Sequence, residues 1–197
     1  MKPAGLMTTT PRLADFVSSP RQRSGVRLRS IALGTRLRHK GPMQPLPHTR
    51  SCFVCGEANP LGLRLRMHTD GHKVFTRWLP SAAHVGFQET VHGGLISTVL
   101  DEVMVWACAI PTRRFAYCAE LTVRFRQPLR PGVESRIEAE LTRNLKDRIY
   151  EASATLRDAD GVALASATGK YRPVPEIATR ALLADVVGDM ARWIDLG

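Results

Sequence analysis

At 197 residues the chain has room for one well-packed domain with about fifty residues to spare, and two full domains would be a tight fit. Hydrophobic residues at 44% and charged residues at 23% exclude a wholly disordered or fibrous chain. The formal charge of +10 is uneven: residues 1–50 hold ten Lys and Arg against one acid, Asp15, whereas residues 51–197 hold eighteen basic and seventeen acidic residues, so the domain itself is no general polyanion binder.

Residues 1–50 are rich in Arg, Ser, Thr and Pro and show no sustained apolar period, which reads as a disordered basic leader. This composition fits an organelle transit peptide, and equally a start codon placed too early, with Met43 as the true start. No run approaches the roughly eighteen apolar residues of a membrane span, and the N-terminus lacks the apolar core of a secretory signal. The expectation is therefore a cytoplasmic protein with no membrane partner and no specific nucleic-acid partner. Four cysteines, Cys52, Cys55, Cys108 and Cys118, are too unevenly placed for a disulfide scaffold, which fits a reducing compartment.

The domain is expected over residues 51–175. From Leu61 to Met67 apolar residues alternate with Gly62, Arg64, Arg66 and His68, the period of a half-buried strand. Asp70-Gly71 supplies a hairpin turn, and Val74, Thr76 and Trp78 form a second strand stopped by Pro80. Residues 81–91 read as a loop. Gly93 and Gly94 then open an apolar segment from Leu95 to Ile110, too long for a strand, which reads as a buried helix ended by Pro111. Four strands follow, Tyr117–Phe125, Glu134–Leu145, Arg148–Arg157 and Ala163–Tyr171, separated by turns rich in Pro, Gly, Asn and Asp. Short connections favour an antiparallel meander. One helix cannot cover both faces of such a sheet, so the fold class is α+β, an antiparallel β-sheet wrapped around one long central helix, with its other face or edge meeting a second subunit. Residues 176–197 form a C-terminal tail, expected as an amphipathic helix.

Cys52-x2-Cys55-x12-His68-x3-His72 has the spacing of a Cys2His2 zinc finger. A finger places both histidines on a helix, whereas this stretch contains Pro60 and Gly62, alternates with period two and has Asp70-Gly71 between the histidines. No metal and no cofactor are expected. A zinc-dependent nucleic-acid binder is a distant alternative.

The chemistry-bearing feature is Val91-His92-Gly93-Gly94-Leu95 running into the helix, with Asp101 and Glu102 two turns on. Two glycines at a helix start leave backbone N–H groups uncovered at the positive end of the dipole, a ready place for an oxyanion. A carboxylate in an apolar helix is costly to bury and invites a catalytic explanation, as base or nucleophile. An ordinary turn and a solvated helix strip would look the same.

The run HVGFQETVHGGLISTVLDEVMVWA resembles the His-Gly-Gly helix start of PaaI-like hotdog-fold acyl-CoA thioesterases; SCFVCGEANPLGLRL and AELTVRFRQPLRPG resemble other segments of that family, in the right order. The resemblance covers residues 51–173. It implies that Gly93 donates its N–H to the thioester carbonyl, that Asp101 is the base or nucleophile, and that His92 shapes the site. It also implies an acyl-CoA substrate and a homo-oligomer, a dimer or a dimer of dimers, with the site between protomers. Two family positions differ: Cys118 stands where Ser or Thr often helps bind water, and Gly86 stands where some members carry a polar residue, so that either Gln88 or Glu89 substitutes or the role is absent. Gly94 and Glu102 are further substrate-binding candidates. Arg124 and Arg126, with Arg130 and Arg148, are candidates for the CoA phosphates. The nearest enzymatic rival is a hotdog hydratase, whose His-Phe-Pro or Asp-x-Asn-x-x-His arrangements are missing. The main rival of another class is a non-catalytic acyl-CoA-binding protein.

Overall fold

The structure, a computed structural model, describes residues 41–195. The leader predicted over 1–50 thus lies largely outside the described residues. Its last part is ordered: β1 (Gln44–Pro45) and β2 (His48–Thr49) are strands, so regular structure starts before residue 51. Next come β3 (Met67–Thr69), β4 (Lys73–Trp78) and a small hairpin of β5 (Val85–Phe87) and β6 (Thr90–Val91). The central helix α1 (Gly93–Thr112) leads into β7 (Ala116–Phe125), β8 (Ser135–Leu145), β9 (Ile149–Arg157) and β10 (Ala163–Pro173). α2 (Glu176–Leu183) and β11 (Val186–Val187) complete the chain.

Seven strands form one sheet in the order β1-β3-β4-β8-β9-β10-β7, antiparallel throughout. The four strands after the helix fall where turn residues predicted them. The alternation explains the wrap. Ile137 and Ala139 of β8, Tyr150, Ala152, Ala154 and Leu156 of β9, and Ala165, Ala167 and Tyr171 of β10 are buried. Their neighbours Arg136, Glu151, Ser166, Thr168 and Lys170 point to the other face, where only polar residues are needed. The small alanines let α1 lie against β4, β7, β8, β9 and β10. Val99, Leu100, Val103, Met104, Cys108 and Ala109 are fully buried on that helix.

Four expectations are corrected. The strand predicted from Leu61 is regular only over Met67–Thr69: Arg64 takes a left-handed φ of 54°, and Leu63 and Leu65 donate their N–H groups to Phe53 and Val54 carbonyls instead. The tail is not one helix. After Leu183 the chain turns into β11, which pairs with β2, while Ser51 donates through N–H and Oγ to Asp185. Finally, α1 is by length and composition apolar enough to cross a membrane, with a mean hydropathy of 1.5, although the sequence was read as having no such run. Its buried residues pack on the sheet, as a core helix requires. Pro111 does not end the helix, because in its last turn the missing N–H costs one bond; Thr112 Oγ1 donates to the Cys108 carbonyl and Arg113, at φ 56°, closes the turn.

Candidate active site

His92 caps α1. Its extended backbone precedes the first turn, and its Nδ1 accepts the Gly94 N–H at 2.9 Å. The Gly94 amide is therefore committed to the cap rather than to a ligand, and glycine is required there because a Cβ would meet the imidazole Nδ1 at 2.9 Å. The Gly93 N–H, by contrast, has no partner among the described residues. Gly86 also packs on the His92 ring, where a Cβ would come within 2.8 Å of Cδ2, so this position has no room for a side chain.

Gly93 lines a cavity of about 450 Å³ at the start of α1. Its wall is mostly apolar: Phe87, Val91, Ile96, Phe125, Pro128 and Leu129, with His92, Thr90, Arg126 and Gln127 supplying polar atoms. Phe125 lies over Gly93, its Cζ 3.2 Å from where a Cβ would stand. Phe87 is 84% exposed at the mouth. Gln88 and Glu89, expected to replace the polar residue lost at Gly86, sit exposed at the tip of the β5–β6 hairpin and do not line the cavity. Of the expected arginines only Arg126 lines it. Arg124 lies on β7 and faces the polar side opposite Ser166; Arg130 and Arg148 are exposed in turns.

Asp101 occupies a second cluster. Tyr171 of β10 donates its hydroxyl to Asp101 Oδ1 at 2.9 Å, and Cys118 of β7 stands beside both. A bulge brings Cys118 there: Glu120 faces Lys170 but Cys118 faces Tyr171, so Ala119 is an extra residue and the parity of β7 inverts. Burial, with Asp101 adding to it, pushes the Cys118 thiol up to about 11 and the Tyr171 phenol upward too, so both remain protonated donors at neutral pH. Gly169 makes the tyrosine's reach feasible, since a Cβ there would stand 2.7 Å from its ring. Tyr171 and Phe125 were missed in the sequence; the signal for Tyr171 was its place in the inward series Ala165, Ala167, Gly169.

Glu102 turns away from this cluster. Its Oε1 lies 3.8 Å from Cys52 Sγ, and Cys52, Cys55 and Glu102 place their ligand atoms within 4.8 Å of one another. It does not line the cavity expected to take substrate. Burial is the main cause that pushes the Glu102 carboxyl up to about 7. His68 stands exposed on β3 and His72 in the turn after it, neither of them in this cluster.

Gly93 and Asp101 are eight residues apart on one straight helix. At about 1.5 Å per residue they are separated by about 12 Å. One carbonyl can be bonded by one and attacked from the other only across about half that span. Within one copy the two groups are therefore too far apart to act on a single carbonyl.

The thioesterase superfamily model matches residues 88–165, a stretch that holds Gly93, Asp101 and the strands around them. No curated protein matches the sequence. Among solved structures, a thioesterase superfamily protein superposes with a TM-score of 0.57 at 24% identity, over 62% of this chain and 60% of that one, so the chain spans less than two thirds of it. The Escherichia coli PaaI protein from the phenylacetic acid degradation operon gives 0.54 at 16% identity, over 60% of this chain and 86% of that one. A Streptococcus mutans protein bound to acetyl CoA gives 0.50 at 12% identity, over 71% and 94%. Residues 88–165 thus match the thioesterase superfamily model, and the fold, a sheet of seven strands curving around α1, is the hotdog fold of these solved structures.

Proposed function

We propose that this chain is an acyl-CoA thioesterase that hydrolyses an acyl- or aryl-CoA to the free acid and CoA. The observation that carries the reading is the unpartnered Gly93 N–H opening into an apolar cavity at the positive end of α1. A thioester carbonyl seated there gains a donor aimed at the charge that develops on its oxygen. Asp101 of a second copy then activates water or attacks the carbon itself, and Tyr171 keeps that carboxylate oriented. His92 acts through the helix start, fixing the first turn so that the Gly93 amide points outward. The acyl group rests against Ile96, Phe125 and Leu129, and Arg126 at the wall is the cation suited to a CoA phosphate.

The dimer belongs to the same reading. The sheet's outer face is polar, but among the described residues β7 is an edge strand bonded only to β10, with Tyr117 and Phe125 exposed on it. An unpaired edge beside Asp101 and Cys118 is the natural seat for a second copy. Support for CoA as the carrier comes from the acetyl CoA bound to the Streptococcus mutans neighbour.

The test is release of free thiol over a panel of acyl-CoAs. Asp101→Asn is expected to lower turnover by about a hundredfold or more with the fold retained. Full activity in that variant would remove Asp101 from the mechanism. Binding of acyl-CoA without any turnover in the wild type would instead make this a carrier protein.

A further inference from the structure

We propose that Cys52, Cys55 and Glu102 form a binding site for one zinc-class dication, which clips the segment before β3 onto the central helix. This site is separate from the candidate active site and shares only the cysteines of the Cys2His2 spacing, whose histidines lie elsewhere.

The argument begins with geometry. Two ligand atoms on one tetrahedral zinc, at about 2.0–2.3 Å from the metal, stand about 3.3–3.8 Å apart. Cys52 Sγ and Glu102 Oε1 are 3.8 Å apart, and all three ligand atoms fall within 4.8 Å of one another. Small side-chain adjustments complete the contact. The turn that carries the thiols is already shaped for them. The Val54 N–H donates to Cys52 Sγ at 3.2 Å, the Cys55 N–H joins it, and the Gly56 N–H closes the loop onto the Cys52 carbonyl at 2.9 Å. Gly56 has no substitute here, because a Cβ would lie 2.3 Å from that carbonyl oxygen. Backbone donors aimed at a sulfur favour its thiolate, the form a metal takes.

Charge makes the second argument. Three groups that become anionic are packed together where α1 meets the preceding segment, and among the described residues no Lys, Arg or His pairs with Glu102. Burying such a carboxyl beside two thiols without a counter-charge is unfavourable, and a dication supplies it. On binding, any protons on Cys52, Cys55 and Glu102 leave to water, and the site becomes two thiolates and one carboxylate around the ion, with a water in the fourth position. Two sulfurs and one oxygen select zinc over magnesium or calcium.

The test uses the full chain, stripped with a chelator, kept reduced, and titrated with Zn²⁺ or Co²⁺ alone. One ion per chain is expected, with a near-ultraviolet sulfur-to-cobalt band. Cys52→Ser and Cys55→Ser should abolish that band, and Glu102→Gln should weaken binding by about tenfold or more. The double variant His68→Ala, His72→Ala should bind as wild type does. Two measurements on the wild type need no variant: zinc should raise the melting temperature, and it should slow the reaction of Cys52 and Cys55 with a thiol reagent. Absence of stoichiometric metal in the reduced protein, a band that survives both cysteine changes, or loss of binding in the histidine variant would each overturn the proposal. None of these readouts involves turnover, so failure of the thioesterase reading leaves the metal site standing, and the reverse.

Discussion

Asp101 sits in an apolar helix yet keeps company that suits a working carboxylate: a phenol that donates to it and a thiol held protonated beside it. Removing the phenol with Tyr171→Phe deletes a hydrogen bond to a charged group, worth about 1.5–3 kcal/mol. The expected result is a fall in kcat/KM of about ten- to a hundredfold, measured by thiol release, with little change in the circular dichroism spectrum. Gly169→Ala acts on the same bond from behind, because its methyl would enter the space of the tyrosine ring. Gly93 and Asp101 were legible from the local pattern, since a glycine pair at a helix start and an acid in an apolar run are both read within a few residues. Tyr171 was not, because it is seventy positions from Asp101 and only the register of β10 on β7 brings the two together. Gln88 and Glu89 do not line the cavity, because they sit exposed at the tip of the β5–β6 hairpin.

Among the elements, α1 carries the core. Met104 is fully buried on it, so Met104→Ala should cost about 2–5 kcal/mol in equilibrium denaturation. The tail behaves differently from its predicted helix because Val186 and Val187 are β-branched and find a partner strand at His48–Thr49. Asp185 ties these strands to Ser51, and those hydrogen bonds hold its carboxyl below the ordinary 3.8. A depressed acid stabilises the fold in full above its unfolded value and loses that contribution as pH falls through its folded one. The protection of amides at His48–Thr49 and Val186–Val187 against hydrogen exchange should therefore fall below pH of about 3.8 in the wild type, and be lower already at neutral pH in Asp185→Ala. Equal protection in both would show that the valines alone hold the pair.

At the scale of the whole molecule, the separation of Gly93 from Asp101 along one helix governs everything else. If each site combines both groups from two copies, Asp101→Asn and Gly93→Val are each inactive alone, yet a mixture of the two recovers activity. Random exchange makes half of the dimers mixed, each with one intact site of two, so about a quarter of wild-type activity should return. No recovery after exchange, verified by mass-tagged subunits, would place both groups of each site in one copy.

By itself the sequence determined the strand ending at Trp78, the central helix and the four strands after it, the glycine start of α1 and the acid two turns along it. Those features act within a few residues: alternation, caps and turn chemistry choose a backbone conformation before any distant contact forms. Only the tertiary structure decided which groups meet. The bulge at Ala119 turns Cys118 toward Asp101, register delivers the Tyr171 hydroxyl, and the turn at Gly56 delivers two thiols to Glu102. Such meetings depend on strand register and packing between segments far apart in the chain, where a shift of one residue sends a side chain to the opposite face.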